Sequence, residues 1–137
     1  MAILFHNQKI EFYLKNKNLH KSWIKNCITA YSRIPGTISF IFTSNASLRE
    51  MNREYLNHDY FTDVITFDYS EGQVISGDIF ISIDQVKINS GIYEADFEGE
   101  LNRVMIHGVL HLIGFDDSTD VERHKCGNWK MMHYICG

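Results

Sequence analysis

The alternation of hydrophobic and polar positions along the chain predicts four short strands. Residues 2–6 (AILFH) form the first candidate, and residues 37–43 (TISFIFT), rich in β-branched and aromatic side chains, form the second. Residues 63–69 (DVITFDY) and 77–83 (GDIFISI) add two more. The segment 70–76 between them contains a Glu-Gly pair, which predicts a hairpin-like turn.

Apolar residues at helical spacing predict about five helices. In chain order these run from a cap at Asn18 to about Arg33, from a cap at Ser44 or Asn45 through Tyr55, from Ser82 or Asp84 to about Tyr93, from Phe97 to Ile113, and from Thr119 to Tyr134. The single proline, Pro35, stands in a Pro-Gly turn between the first helix and the second strand. This order predicts an α+β fold: a small mixed four-stranded sheet packed with about five helices. A chain of 137 residues suits one domain, residues 1–137.

Composition narrows the class of protein. Hydrophobic residues make up 45% of the chain and charged residues 22%, which excludes an intrinsically disordered protein. No apolar run approaches the roughly 20 residues needed to cross a bilayer, so we expect no membrane partner. The segment from Met1 to Lys17 lacks the basic start, apolar stretch and cleavage site of a signal peptide. We therefore expect a cytoplasmic protein.

Charge and cysteine content exclude two kinds of site. The net charge of −4 does not point to a broadly basic nucleic-acid surface, and the early run of lysines is typical of a solvated helix face. Three cysteines with no C-x-x-C spacing argue against a disulfide framework and against a cysteine-based zinc site.

The candidate chemistry lies at the end of the most apolar helix. His107 and His111 are four residues apart, which places both imidazoles on one helix face within reach of one cation. Gly114 suits the backbone conformation that ends a helix and would turn Asp116 or Asp117 toward the ion. Three protein ligands with a fourth position left for water are typical of a catalytic zinc site. The competing interpretation is that both histidines pack in the core.

The spacing of these residues is metzincin-like and matches the protease signature H-E-x-x-H-x-x-G-x-x-H at all but two positions. Gly108 stands where those proteases have the glutamate that serves as general base, and Asp117 stands where they have the third histidine. The missing glutamate counts against a metalloprotease. A non-haem iron oxygenase shares the set of two histidines and one carboxylate, but its ligand order and strand pattern are absent here.

Three motifs, taken together, resemble one known family, the YbeY-type bacterial endoribonucleases, also called rRNA maturation factors. Their hallmark H-G-x-L-H-L-x-G-[YF]-D-H is similar to residues 107–117 (HGVLHLIGFDD), with only the last position different. Their L-N-x-x-Y-R-x-x-D-x-P-T-[DN]-V-L-S-F resembles residues 51–67 (MNREYLNHDYFTDVITF), and their G-D-[IL]-x-[IL] resembles residues 77–81 (GDIFI). The motifs occur in the family's order and at similar separations.

The resemblance implies a zinc-dependent endoribonuclease that cleaves single-stranded RNA in 16S rRNA 3′-end maturation and ribosome quality control. It implies the 16S rRNA precursor and small-ribosomal-subunit components as partners. The family's three zinc-binding histidines correspond to His107, His111 and, by position, Asp117, which together would hold one zinc ion. The family's arginine that faces the substrate phosphates corresponds to the uncharged Leu56. Arg53 and His58 are its candidate replacements.

Three further residues are candidates for roles around the metal. Arg103, one turn before His107, is a candidate catalytic residue that pairs with a phosphate, whereas an ion pair with Glu100 at i, i+3 is the competing interpretation. Asp63 and Asp78 flank strands expected to line the cleft. Each is a candidate general base, a candidate partner of a metal ligand, or a capping or turn residue.

Several alternatives stay open from the sequence. Asp116 and His124 are the other candidates for the third ligand. A carboxylate ligand makes the metal a weaker Lewis acid and favours harder ions such as Mn²⁺ or Fe²⁺. Attack on the phosphodiester by water and attack by the 2′-hydroxyl are equally compatible with the motif. Because Leu56 and Asp117 both depart from the family, a non-catalytic ribosome-assembly factor with a structural metal is the main alternative function.

Overall fold

Strands and helices follow one another in the order that the sequence predicts. The structure is a computed structural model that describes residues 2–55 and 63–114. The elements in this part of the chain are β1 (Ala2–Asn7), α1 (Lys17–Ala30), β2 (Ile34–Thr43), α2 (Asn45–Tyr55), β3 (Val64–Asp68), β4 (Val74–Ser82), α3 (Ile83–Ile92) and α4 (Phe97–Ile113). The predicted helix at 119–134 lies outside the described residues. None of the described helices is long and apolar enough to cross a membrane.

The four strands form one mixed sheet in the order β1-β2-β4-β3. β1 pairs with β2 and β2 with β4 in parallel, while β3 pairs with β4 antiparallel and occupies one edge. Each parallel pair needs a crossover, which α1 supplies between β1 and β2. The β3–β4 connection is the expected hairpin, in which Gly72 has a φ of 58°. The α+β class and the mixed four-stranded sheet are therefore confirmed.

Alternating side chains give the sheet two different faces. One face carries the aromatic and β-branched residues of the main core, including Phe40, Phe42, Ile79 and Ile81, all 0–1% exposed. α1 and α4 cover this face, and α4 buries residues on nearly all sides. α2 packs on the opposite face, where the ring of Tyr55 lies 5.9 Å from that of Phe67.

The beginning of α1 differs from the prediction that Asn18 caps it. The helix begins at Lys17, and the capping position is Asn16, whose left-handed backbone (φ 57°, ψ 47°) makes no side-chain capping bond. The helix also ends at Ala30, before Arg33. Ser32, with a φ of 61°, turns the chain there, and such a turn ends a helix whatever its apolar periodicity.

The Pro-Gly segment belongs to the sheet and does not form the separate turn that the sequence predicts. β2 begins at Ile34, which pairs with Val74, and Pro35 pairs with Ile75. The register shifts between Pro35 and Ile38, so the proline lies next to an irregularity of the strand. β4 accordingly begins at Val74, three residues before the predicted start at Gly77.

The cysteines also differ in part from expectation. Cys27 lies on the buried face of α1 and is 1% exposed. It is disulfide-bonded, although the number and spacing of the cysteines argued against a disulfide framework.

Candidate metal centre

Both predicted histidine ligands lie on α4, whose start is fixed by a capping residue. Asp96 has extended backbone and its Oδ1 accepts a hydrogen bond of 2.7 Å from the amide of Gly99, which satisfies a helix donor that otherwise has no partner. The helix then runs over the predicted range, Phe97–Ile113. Its stability comes mainly from its buried faces, because most of its residues after the first turn pack in the core.

The spacing of His107 and His111 brings their rings together as predicted. The ring centroids are 4.4 Å apart and the ring planes are tilted by 53°. Both side chains are half-buried, and the Nε2 atom of His111 is shielded from solvent. Two imidazoles presented side by side on one rigid helix face match the donor set and the spacing of a transition-metal site.

Gly108, between the two histidines, allows α4 to lie directly on the sheet. A Cβ atom at this position would lie 2.7 Å from Cγ2 of Ile79 and 3.5 Å from Cγ2 of Val64. The first distance is too short for two carbon atoms in contact. Position 108 therefore faces β4, and the backbone leaves no room there for the glutamate of the protease signature.

Gly114 ends α4 as the sequence predicts. Its φ is 121°, and its amide donates to the carbonyl oxygens of Leu110 and His111 at 3.1 Å each. Asp116 and Asp117, the candidate third ligands, and His124 lie outside the described residues. Within residues 2–55 and 63–114, no three His, Cys, Asp or Glu side chains are grouped to hold a metal. The described residues thus supply two of the three predicted ligands.

Arg103 binds two carboxylates one turn before His107. Its Nε donates to Oε1 and Oε2 of Glu100 at 3.1 and 3.2 Å, and its Nη2 donates to Oε2 of Glu100 at 2.7 Å. The same Nη2 lies 3.4 Å from Oδ2 of Asp63. The competing interpretation from the sequence, an ion pair between Arg103 and Glu100, is confirmed.

Asn89, on α3, completes this cluster. Its Nδ2 donates to Oδ2 of Asp63 at 3.3 Å and to Oε2 of Glu100 at 3.4 Å, and its Oδ1 accepts a bond of 3.0 Å from Gln85. The sequence indicated Glu100 by its i, i+3 spacing from Arg103. It gave no signal for Asn89, because an asparagine near the end of a short helix is normally a surface residue.

The two aspartates that were expected to line one cleft face different sides of the sheet. Gly77 and Ile79 contact α4, so Asp78 between them points to the opposite face. There it accepts a hydrogen bond of 3.2 Å from the hydroxyl of Tyr69. Desolvation, followed by the charge of Asp78 and this bond, raises the pKa of Tyr69 above its usual value. Of the two aspartates, only Asp63 lies beside the histidine helix.

The candidate replacements for the family's phosphate-facing arginine are only partly described. Leu56 and His58 lie outside the described residues. Arg53 is exposed on α2 and lines a surface groove of about 510 Å³ together with Asn45, Ala46, Arg49, Glu50 and Asp84. None of these residues belongs to α4, so the described structure does not bring Arg53 to the histidine pair.

Comparison with known proteins identifies relatives along most of the chain. The sequence model of the family described as Endoribonuclease YbeY matches residues 3–130. The chain is 46% identical over 123 residues to Endoribonuclease YbeY of Parabacteroides distasonis, which covers 90% of this chain and 87% of that protein. It is 50% identical over 101 residues to Endoribonuclease YbeY of Phocaeicola vulgatus, covering 74% and 73%.

A solved structure is similar in fold. The solution structure of TM1509 from Thermotoga maritima superimposes with a TM-score of 0.56 at 25% identity, covering 97% of this chain and 83% of that one. The family match includes α4 with both histidines, the Gly114 turn and Asp117. On sequence and fold together, this chain belongs to the YbeY endoribonuclease family.

Proposed function

We propose that this protein is a zinc-dependent endoribonuclease that cleaves single-stranded RNA, acting in 16S rRNA 3′-end maturation and ribosome quality control. Its family supports the reaction class, since its relatives carry the name Endoribonuclease YbeY. The observation that carries the proposal is the pair His107 and His111, with rings 4.4 Å apart on a helix whose first turn is capped and whose other faces are buried.

The proposed metal ligands are His107, His111 and Asp117. The histidine pair fits a zinc ion because the two half-buried rings lie side by side, and the Nε2 atom of His111 is shielded from solvent. When bound, the ion stabilises negative charge on a phosphoryl oxygen or activates a water as nucleophile. Gly114 ends the helix three residues after His111, and in the sequence Asp117 follows three residues after Gly114.

The packing of Gly108 separates this reaction from peptide hydrolysis. The metalloproteases use a glutamate at that position to take a proton from the attacking water. Here the same position faces Ile79 at 2.7 Å from an ideal Cβ, so another group must accept the proton. In RNA cleavage the 2′-hydroxyl can replace water as nucleophile, and its proton must likewise pass to a group other than residue 108.

The expected partners follow from the same family relationship. They are the single-stranded 16S rRNA precursor and components of the small ribosomal subunit, in the cytoplasm. A second function, as a non-catalytic assembly factor that keeps a metal, is favoured by two departures from the family motifs. These are the uncharged Leu56 and the carboxylate at Asp117.

Cleavage of a labelled single-stranded RNA tests the two functions against each other. Zinc-loaded wild-type protein is compared with His111→Ala and Asp117→Ala, and Arg33→Met serves as a control for loss of a charged side chain away from α4. We expect the wild type and the control to cleave, and both ligand variants to lose at least about 100-fold in rate, as removal of a central stabilising group does.

Each of the other possible results would contradict a different part of the proposal. Equal cleavage by the wild type and both ligand variants would show that the activity comes from another site or another protein. Absence of cleavage by zinc-loaded wild type, with metal content intact, would reject the nuclease and support the assembly factor. Loss of activity in His111→Ala alone would remove Asp117 from the metal site.

A further inference from the structure

We propose that Arg103 is a positioning residue, which binds Glu100 and Asp63 and thereby holds the start of β3 against α4 beside His107. This inference rests on the proposed function for its catalytic consequence, but its structural part can be measured without RNA. It replaces the expectation that Arg103 binds a substrate phosphate.

The charge around Arg103 argues against a phosphate contact. Its Nε and Nη2 face two carboxylates, and the Glu100 side chain is only 3% exposed. One guanidinium and two carboxylates sum to a net charge of about −1, so the cluster repels a phosphate and attracts a cation. An arginine that binds phosphate must present its donors to the ligand in a site of positive potential.

The cluster joins three elements at one point. Glu100 and Arg103 belong to α4, Asn89 belongs to α3, and Asp63 immediately precedes β3. Since Glu100 is buried, its carboxylate depends on Arg103 and Asn89 for the hydrogen bonds that water would otherwise supply. The three elements are therefore linked by a hydrogen-bonded network of four side chains. Removal of any one of them leaves a buried polar group of another without its partner.

Two contacts connect this cluster to the histidine helix. The carbonyl of Asp63 accepts a bond of 3.0 Å from the amide of Ser82, which fixes the start of β3 to the end of β4. The next residue, Val64, packs at Gly108, directly after His107. Arg103 thus sets the position of β3 relative to α4 at the level of the first metal ligand. Displacement of a reacting group by about 1 Å can cost about 100-fold in rate.

Substitutions at the two ends of the ion pair distinguish positioning from phosphate binding. The variants are Glu100→Gln, Arg103→Met and the double variant, with Arg33→Met as the matched control. Arg33 is also an arginine that donates to a side chain, Gln73 at 3.2 Å, but it lies immediately before β2 and outside the cluster. Glu100→Gln keeps the shape and one of the two acceptor oxygens of Glu100 but removes its charge.

Three kinetic results are expected if Arg103 positions β3. Glu100→Gln and Arg103→Met each lower kcat by about 10- to 100-fold and change KM by less than about threefold. The double variant is no slower than the slower single variant, because both changes remove one shared interaction. The salt dependence of RNA binding stays at the wild-type slope in all variants and in Arg33→Met.

Hydrogen exchange supplies a readout that needs neither RNA nor activity. The Ser82 amide should exchange at least about tenfold faster in Glu100→Gln and Arg103→Met, because the start of β3 opens locally. Amides in the β1–β2 pair should keep their wild-type rates. Unchanged rates there also show that the variants are folded. If Arg103→Met does not fold, Glu100→Gln carries the test alone.

The outcomes separate this proposal from the proposed function. Loss of RNA affinity and a salt slope smaller by about one in Arg103→Met, with normal kcat in Glu100→Gln, would show that Arg103 binds phosphate. Unchanged exchange at Ser82 in both variants would also overturn the positioning role. If the Ser82 amide exchanges faster in both variants but the wild-type protein cleaves no RNA, the structural role of Arg103 is retained and only the nuclease function is rejected.

Discussion

A single glycine determines how closely the histidine helix approaches the sheet. Gly108 lies between the two candidate ligands and directly over Ile79, which is 0% exposed. A side chain there would push α4 away from β4 and move His107 and His111 with it. The same residue that excludes the protease glutamate therefore also fixes the depth of the candidate metal centre.

Gly108→Ala should destabilise the protein although alanine is the better helix former. The added methyl group meets Ile79 at 2.7 Å, and overpacking costs about 1–3 kcal/mol, whereas helix propensity returns only about 1 kcal/mol. We expect the free energy of unfolding, measured in urea, to fall by about 1–2 kcal/mol. Gly91→Ala on α3 is the control, because nothing lies within 4 Å of its Cβ and it should be neutral or stabilising. Stabilisation of the Gly108 variant would show that α4 is less tightly packed than described.

Helix α4 carries both candidate histidine ligands, and its start and its end are stabilised by different interactions. At its start, Asp96 accepts a bond from Gly99 and the acidic residues Glu98 and Glu100 lie in the first turn, where the helix dipole favours them. At its end, Gly114 adopts a positive φ, and its amide donates to the carbonyl oxygens of Leu110 and His111. The capping aspartate, the acidic first turn and the terminal glycine are all local features of the sequence. The observed bounds of α4 match the predicted bounds, Phe97 to Ile113.

Loss of the α4 cap should lower stability without removing the histidine pair. Asp96→Ala deletes the acceptor for the Gly99 amide, which costs about 0.5–2 kcal/mol in the free energy of unfolding. Asp96→Asn keeps an acceptor oxygen at the same place and should cost only a few tenths of a kcal/mol. The free energies of unfolding of the two variants are compared by thermal unfolding. An equal loss in both would assign the effect to the charge of Asp96 and not to its capping bond.

At the scale of the whole molecule, metal binding and folding are expected to be coupled. Two of the proposed ligands lie on a buried helix, and the third follows its end, so the complete site exists only in the folded chain. The net charge of −4, together with the negative charge of the Arg103 cluster, favours a cation at this surface. We therefore expect RNA, which is an anion, to bind through the proposed metal and through basic residues outside this cluster.

Zinc at about 100 times its dissociation constant should raise the free energy of unfolding of the wild type by about 2.7 kcal/mol. Asp117→Ala should bind zinc about 10- to 100-fold more weakly, so that the increase falls to about 0.4–1.4 kcal/mol at the same zinc concentration. Thermal melting and elemental analysis of the purified variants measure both effects. Asp116→Ala is the control and should respond as the wild type does. Full zinc occupancy in Asp117→Ala would remove that residue from the ligand set and favour Asp116.

The sequence by itself determined the elements, the mixed sheet and the histidine pair. These follow from local rules: alternation predicts strands, a period of 3.6 residues predicts helices, and i, i+4 spacing places His107 and His111 together. The errors occurred where neighbours overrode local preference. Asn16, not Asn18, stands at the start of α1, and β2 takes in Pro35 because β4 is available to pair with it.

Only the tertiary structure decided which polar residues meet. Asp63 and Asp78 belong to neighbouring parts of the sheet, but Asp63 precedes β3 and its carboxylate reaches Arg103 of α4. Asp78 lies within β4 and accepts its bond from Tyr69 on the face away from α4. Asn89 joins Asp63 and Glu100, residues 26 and 11 positions away in the chain, and no local pattern predicts such a contact. The role of Arg103 changed for the same reason. Its partners were fixed by the packing of α3, α4 and β3, which is a property of the assembled fold and not of any one segment.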